Sequence, residues 1–398
     1  MNCPFARTPL APEPSATSTA PLAQPLEKVL PARISERYRS IEDPQLVREI
    51  LRHAEEFTPA NALQAAVDLE PATLRILARG RFALPPVLAS ASGAGHRAVR
   101  KVVAGFFSPA KVAAQREFIA QRTRELCLNL RGRYQRGEEL DLASELAAVI
   151  PPEVMARMTG TPLPPLDQLK AWSKDSLELF WGWPGAQRQQ ELAHSAVAYH
   201  AWLRGSVDEA TARDDGNLYF ALHHAGVDRA RIVSLAYFLG IAGQETTAML
   251  IQSALFTAMR DGHWSSCAAA DGGVAASERV VHEVLLRASS VPTWRRIALR
   301  DISLSGRRFA AGDELLLRLS GGDAAASGDD SLVFGQGLHR CLGAGLARME
   351  TGVVVHQAAA ALPGIELSDS SPRWRYLISF QAPEAVITRS RKTGSASA

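Results

Sequence analysis

Between Phe334 and Gly343 the chain reads Phe-Gly-Gln-Gly-Leu-His-Arg-Cys-Leu-Gly, which brings Cys341 into a turn with Gly335, Gly337, His339 and Gly343. A cysteine ligates a metal as the thiolate, and that charge must be stabilised by its surroundings. Gly335 and Gly337 permit backbone conformations closed to other residues and keep side chains clear of a flat ligand. From Leu342 to Ala361 only Arg348 and Glu350 are charged. A mostly buried helix over Cys341 to Ala361 is therefore predicted. It puts the sulfur beside unpaired backbone N–H groups at the positive end of a helix dipole. A free buried cysteine would explain the sulfur alone, but not the glycines and histidine in register with it. Zinc chemistry lacks support, because Cys3, Cys127 and Cys267 sit in unrelated contexts without paired-ligand spacing.

A second constellation lies in Ala242-Gly243-Gln244-Glu245-Thr246-Thr247, the middle of an apolar stretch from Ile232 to Met259. Glu245 is the only charged residue there. Such a polar centre would be costly in lipid, so a long helix through a soluble domain is predicted, capped by Asp228 and stopped at Asp261-Gly262. Gly243 costs about 1 kcal/mol relative to alanine in a helix interior. It lets a flat ligand approach the backbone, and threonine hydroxyls can bond the preceding turn and bend the helix. A kinked helix that turns a small residue, an acid and an alcohol toward one cavity is a proton-relay arrangement. Kinking with ordinary polar satisfaction is the plainer alternative.

The cysteine turn, followed by Leu346-Ala347-Arg348, closely resembles the haem-binding signature of the cytochrome P-450 family. The resemblance runs roughly from Pro25 to Thr388, and Ala242–Thr247 is similar to that family's A-G-x-[DE]-T segment. It implies a mainly α fold with a small β part, with haem b (iron protoporphyrin IX) between the long central helix and the cysteine-bearing helix. It assigns Cys341 to the iron, Thr246 to the proton-relay hydroxyl and Glu245 to the acid, with Ala242 and Thr247 on the substrate side. His96 and Arg100 look like the family's H-x-x-x-R propionate pair. Arg296 resembles a further propionate ligand, with Arg295 as a rival, and His339 completes the set. The implied activity is monooxygenation of a small organic substrate with dioxygen, hydroxylation or similar, in secondary metabolism. Electrons would come from NAD(P)H through a separate ferredoxin-type donor and its reductase. The loop Phe82–Leu88, the stretch Leu179–Pro184 and Pro292-Thr293-Trp294 would line the pocket, which suits an aromatic or carrier-tethered substrate. Two rivals remain: a non-standard reaction on the same fold (peroxide-driven, dehydration or rearrangement), and a non-catalytic haem-binding sensor.

The elements that must position these residues are legible in the pattern. Helical periodicity covers Asp43–Glu56, Pro109–Gly137, Leu142–Met158, Ala186–Val207, Ile232–Met259, Glu278–Arg287 and Cys341–Ala361. Ile297–Leu304 and Glu314–Leu319 read as a hairpin around Ser305-Gly306, and Tyr376–Phe380 with Ala385–Thr388 as another. The 398 residues are 46% hydrophobic and 21% charged, with a formal net charge of +3. No basic stripe interleaves with aromatics, so nucleic acid is not an expected partner. Four scattered cysteines fit a reducing, cytoplasmic compartment. Residues 1–24 are rich in proline and alanine and read as a flexible leader with no signal peptide or anchor. Residues 25–388 read as one catalytic domain and 389–398 as a frayed tail.

Two departures from the family pattern stand out. The helix His282-Glu283-Val284-Leu285-Leu286-Arg287 carries Leu286 where a Glu-x-x-Arg pair would place arginine, with Arg287 one position later. Between Ser320 and Ser331 the chain holds only Gly, Ala, Ser and Asp, with no arginine. Loss of one arm of a buried charge network makes the others costly, so the two departures belong together. A trimmed, more mobile surface before the cysteine turn is expected, on the side where similar proteins dock their electron donor.

Overall fold

Helices form the frame. The computed structural model describes residues 20–321 and 331–391. Its larger helices are α1 (Pro44–Arg52), α2 (Gly93–Phe106), α3 (Arg116–Gln135), α4 (Leu166–Trp181) and α5 (Ala186–Thr211). They continue with α6 (Arg229–Ala242), α7 (Glu245–Arg260), α8 (Gly273–Ala288) and α9 (Ala344–Ala361). Helix α9 packs against α3, α7 and α8. Val354, Val355 and Ala358 of α9 share one core with Ile251 and Leu255 of α7 and Val280 and Val284 of α8. A second core joins α4, α5 and α6 through Trp181, Tyr199 and Tyr237.

The long central helix is two helices, not one. Asp228 caps α6 by accepting from the Arg231 N–H at 3.0 Å, as expected. The helix then stops at Ala242, and Gln244 (φ −121°) precedes α7. A Cβ on Gly243 would lie 2.8 Å from the Leu239 carbonyl oxygen and 2.6 Å from the Met155 methyl. Glycine is thus required by the chain's own packing at the break. Among the described residues no helix is long and apolar enough to cross a membrane.

Other boundaries shift for identifiable reasons. The expected Pro109–Gly137 helix is interrupted after Ala113, and Leu142–Met158 divides into a π-turn (Ala143–Ala147) and a helix from Ile150. Pro151 and Pro152 lack the N–H that an interior turn needs and so sit in that helix's first turn. Helix α9 begins at Ala344 with Gly343 as its cap, which leaves Cys341 in the preceding turn.

The strands are β1 (Arg39–Ile41), β2 (Phe57–Thr58), β3 (Leu140–Asp141), β4 (Thr293–Ala298), β5 (Ile302–Leu304) and β6 (Arg307–Phe309). They continue with β7 (Glu314–Arg318), β8 (Ile365–Leu367), β9 (Trp374–Tyr376), β10 (Gln381–Pro383) and β11 (Ile387–Ser390). The main sheet has the order β1-β7-β4-β2, with β4 and β7 antiparallel and Arg296 opposite Leu315. Ser305-Gly306 turns β5 into β6 rather than joining β4 to β7. Both turn residues have positive φ (49° and 73°), which closes a two-residue hairpin and leaves β7 free to pair further out. The second expected hairpin is also re-paired. Leu377 donates to the Phe380 carbonyl across a tight turn, so β9 pairs with β10, while β11 pairs with β8 and β3.

Both ends of the folded part extend past the expected limits. Residues 20–24 were read as leader, yet Leu22 is fully buried in a short turn (Pro21–Ala23). Arg389 and Ser390 of the expected tail form β11 opposite Glu366 and Ile365. Composition misled in both places, because a long-range contact rather than a local pattern orders them. Most of the segment expected to be mobile, 322–330, lies outside the described residues, as do 1–19 and 392–398.

Candidate active site

The cysteine turn is shaped by backbone. Gly335 and Gly337 take φ of +69° and +65°, and a Cβ at Gly337 would press to 3.0 Å from the Leu51 carbonyl oxygen. The Cys341 N–H donates to the Phe334 carbonyl oxygen at 2.9 Å, closing the loop. The sulfur faces a cavity rather than bulk solvent. Burial pushes its thiol up, while the N–H groups of Gly343 and Ala344 and the charges of Arg100 and Arg340 favour the thiolate. The anion-stabilising helix start expected of this cysteine is present, although the helix begins after it.

Cys341 opens onto a cavity of about 230 Å³. Ala242, Thr246, Thr247, Arg100, Arg296 and His339 line the same space. Thr246 donates its hydroxyl to the Ala242 carbonyl at 2.7 Å, across the break between α6 and α7. Arg100 donates to the Arg340 carbonyl beside the cysteine. Of the two rival arginines, Arg296 borders the cavity and Arg295 does not.

Two expected site residues stand back from the cavity wall. His96 is buried behind His339, their ring centroids 4.9 Å apart. Glu245 turns away, to an ion pair with Lys170 Nζ at 2.8 Å, and the same ammonium donates to Gln244 Oε1 at 2.7 Å. Lys170 was missed because nothing local marks it out from Lys174 on the same helix α4, whose pattern gave no signal; only the chain's path around the α6–α7 break reveals it. The pocket stretches fare unevenly: Leu88, Trp181 and Trp294 line the cavity, whereas Phe82 instead packs against Phe180, Tyr237 and His200.

The polar groups at the cysteine end are under-satisfied by protein. His96 has both ring nitrogens buried without partners, His339 has Nδ1, and Arg296 has Nε. His339 spends Nε2 on the Ala91 carbonyl at 2.7 Å. Burial, reinforced by Arg296, pushes His339 down to about 4, and burial holds His96 below the usual range. Arg296 is lowered to about 10 by burial. Buried donors rarely stay unpaired in native proteins. Buried, under-satisfied nitrogens beside a thiol and an apolar chamber, with the guanidinium groups of Arg100 and Arg296 on the cavity, fit a haem, whose two carboxylates would accept from the arginines.

The comparisons agree. No family model matches the chain. Pentalenic acid synthase of Streptomyces avermitilis is 28% identical over 69% of this chain and 69% of its own. The biotin biosynthesis cytochrome P450 of Bacillus subtilis is 23% identical over 73% of this chain and 76% of its own. Among solved structures, cytochrome P450 CREJ in complex with (4-ethylphenyl) dihydrogen phosphate superposes with a TM-score of 0.83 at 23% identity, covering 94% of this chain and 98% of that one. P450BioI with a hexadec-9Z-enoic acid-ligated acyl carrier protein gives 0.72 at 20% identity, over 87% and 90%. Both comparisons point the same way, since these curated relatives and superposed structures are cytochrome P450s. This chain is similar to them in sequence and shares their fold.

Proposed function

We propose that this chain oxidises a small, largely uncharged organic substrate with dioxygen, by hydroxylation or a similar step, in the cytoplasm and in secondary metabolism. One observation carries the reading: Cys341 and Thr246 line the same cavity, with the unpaired buried nitrogens of Arg296, His339 and His96 gathered at the cysteine end. In this reading Cys341 holds the iron, and Arg100, Arg296, His339 and His96 receive the propionates. When bound there, haem supplies the activation of dioxygen, with thiolate donation favouring O–O cleavage. The Thr246 hydroxyl, released from the Ala242 carbonyl, passes protons into the cavity. Glu245, paired with the part-exposed Lys170, is the acid on the solvent side.

Substrate choice follows from the walls. The charged residues lining the cavity are Arg100, Arg296 and Arg340, all beside the cysteine turn. Most of the remaining wall is apolar and aromatic, including Trp181, Phe238, Trp294 and Phe380, with Thr246, Thr247, Ser289 and Ser290 among its polar residues. Such walls exclude water and orient an apolar or aromatic body, whether free or tethered to a carrier. A ferredoxin-type protein is the proposed electron donor. The deciding experiment compares reduced, carbon monoxide-bound spectra of the native chain and Cys341→Ser. The native protein should give the red-shifted band of thiolate-ligated haem and the variant should lose it. An unchanged band in Cys341→Ser sinks the reading.

A further inference from the structure

The guanidinium of Arg318, at the end of β7, is fully enclosed yet reaches one carboxylate and several carbonyls. Its Nε donates to Glu42 Oε2 at 2.9 Å. Its Nη1 donates to the Leu22 carbonyl at 2.8 Å and to the Ser320 carbonyl at 3.4 Å, and its Nη2 to the Gln24 carbonyl at 2.8 Å. The segment Ala20–Gln24 is thereby strapped to the sheet. The strap is tied on its other edge too. The Leu22 N–H donates to Gln381 Oε1 at 2.9 Å, and Gln381 Nε2 donates to the Ser289 carbonyl at 3.1 Å. The Gln381 N–H donates to the Ser290 carbonyl at 3.1 Å.

Those last contacts matter because Ser289, Ser290, Val291, Leu319 and Phe380 form one wall of the haem cavity. The wall's backing is thus a continuous polar chain that runs inward from the part-exposed Glu42 through the buried Arg318, the strap and Gln381. Gly321, with φ +77°, donates to the Leu286 carbonyl at 2.8 Å and would carry a Cβ only 3.2 Å from Ala23. The end of β7 is therefore fixed through the strap at the helix position where the expected arginine is replaced by Leu286.

We propose that Arg318 is a positioning residue: it clamps the N-terminal strap so that the strap, through Gln381, holds the cavity wall in place for haem and substrate. This rests on the cavity being the haem site. Each carbonyl that loses its buried donor carries a full desolvation cost, so the wall relaxes rather than tolerating the loss. The test uses the haem-loaded protein and two variants, Arg318→Met and Gln381→Leu. Haem transfer to excess apomyoglobin, phenylimidazole affinity from the shift of the haem band, and hydrogen exchange over residues 20–30 are measured. Both variants should lose haem faster and bind phenylimidazole more weakly, by about tenfold or more, since each leaves more than one buried group without its partner. The thiolate carbonyl band should survive in both. If Gln381→Leu speeds exchange in the strap but leaves haem loss and phenylimidazole affinity unchanged, the strap is structural only and the proposal is overturned. Should Arg318→Met fail to fold, Gln381→Leu decides alone, since it leaves the clamp itself intact. A native protein without the thiolate band would instead overturn the haem assignment.

Discussion

Arg295 and Arg296, neighbours on β4, point to opposite faces of one strand. Arg296 borders the cavity with Nε unpaired, whereas Arg295 bonds the Ala62 carbonyl at 3.1 Å and lies over the Trp181 ring. Strand alternation makes this division obligatory, and it separates two roles that the sequence left open. Arg296→Leu should raise the rate of haem transfer to apomyoglobin by about tenfold, with little change in melting temperature. Arg295→Leu should do the reverse, costing about 1–3 kcal/mol of stability through the orphaned carbonyl while haem is retained. Equal haem loss in both would contradict the division.

Thr246→Ala removes the hydroxyl that lies 2.7 Å from the Ala242 carbonyl at the helix break. Reducing equivalents should then be diverted to hydrogen peroxide, with product per NAD(P)H falling by about 10²-fold, the lower end of what a positioned proton donor contributes. Haem content should not change. Coupling equal to that of the native protein would remove Thr246 from the relay.

Glu283 and Arg287 meet only at 3.9 Å, with Arg287 largely exposed. Exposed pairs at this spacing contribute about 0.5 kcal/mol or less. Glu283→Ala and Arg287→Ala should each leave stability within that margin and haem content intact, as judged by denaturant midpoints and pigment yield. A cost of several kcal/mol would show a buried role that this geometry lacks.

What the sequence disclosed and what it hid divide along contact range. Cys341, Gly335 and Gly337 were readable because the turn's chemistry is written in consecutive residues. Ala242 and Thr246 were likewise local, and both lie on the cavity. Glu245 was singled out by its lone charge, but its partner Lys170 was not, since they are joined by a tertiary crossing of α4 over the α6–α7 break. The break itself was read only as a kink, because part of the crowding at Gly243 comes from Met155 on a distant helix, beside the local Leu239 carbonyl. The strap at Leu22 and the pairing of β4 with β7 were hidden for the same reason: each is decided by a partner far away in the chain.

Glu350 offers a test of stability rather than chemistry. It sits on the buried side of α9 with Oε1 unpaired, and burial pushes its carboxyl from 4.5 up to about 8. The folded protein therefore holds a proton that the unfolded chain releases above its ordinary range. Its contribution to stability is complete below about 4.5 and is lost as pH rises toward 8. Over that window the native protein should lose a few kcal/mol, at about 1.4 kcal/mol per pH unit for a single proton. Glu350→Gln, which keeps the shape without a titrating group, should flatten that decline and be the more stable form at the alkaline end. Chemical denaturation of both proteins at several pH values reads this directly. Parallel curves would mean that Glu350 is ionised in the folded state, with a partner supplied on haem loading or by buried water.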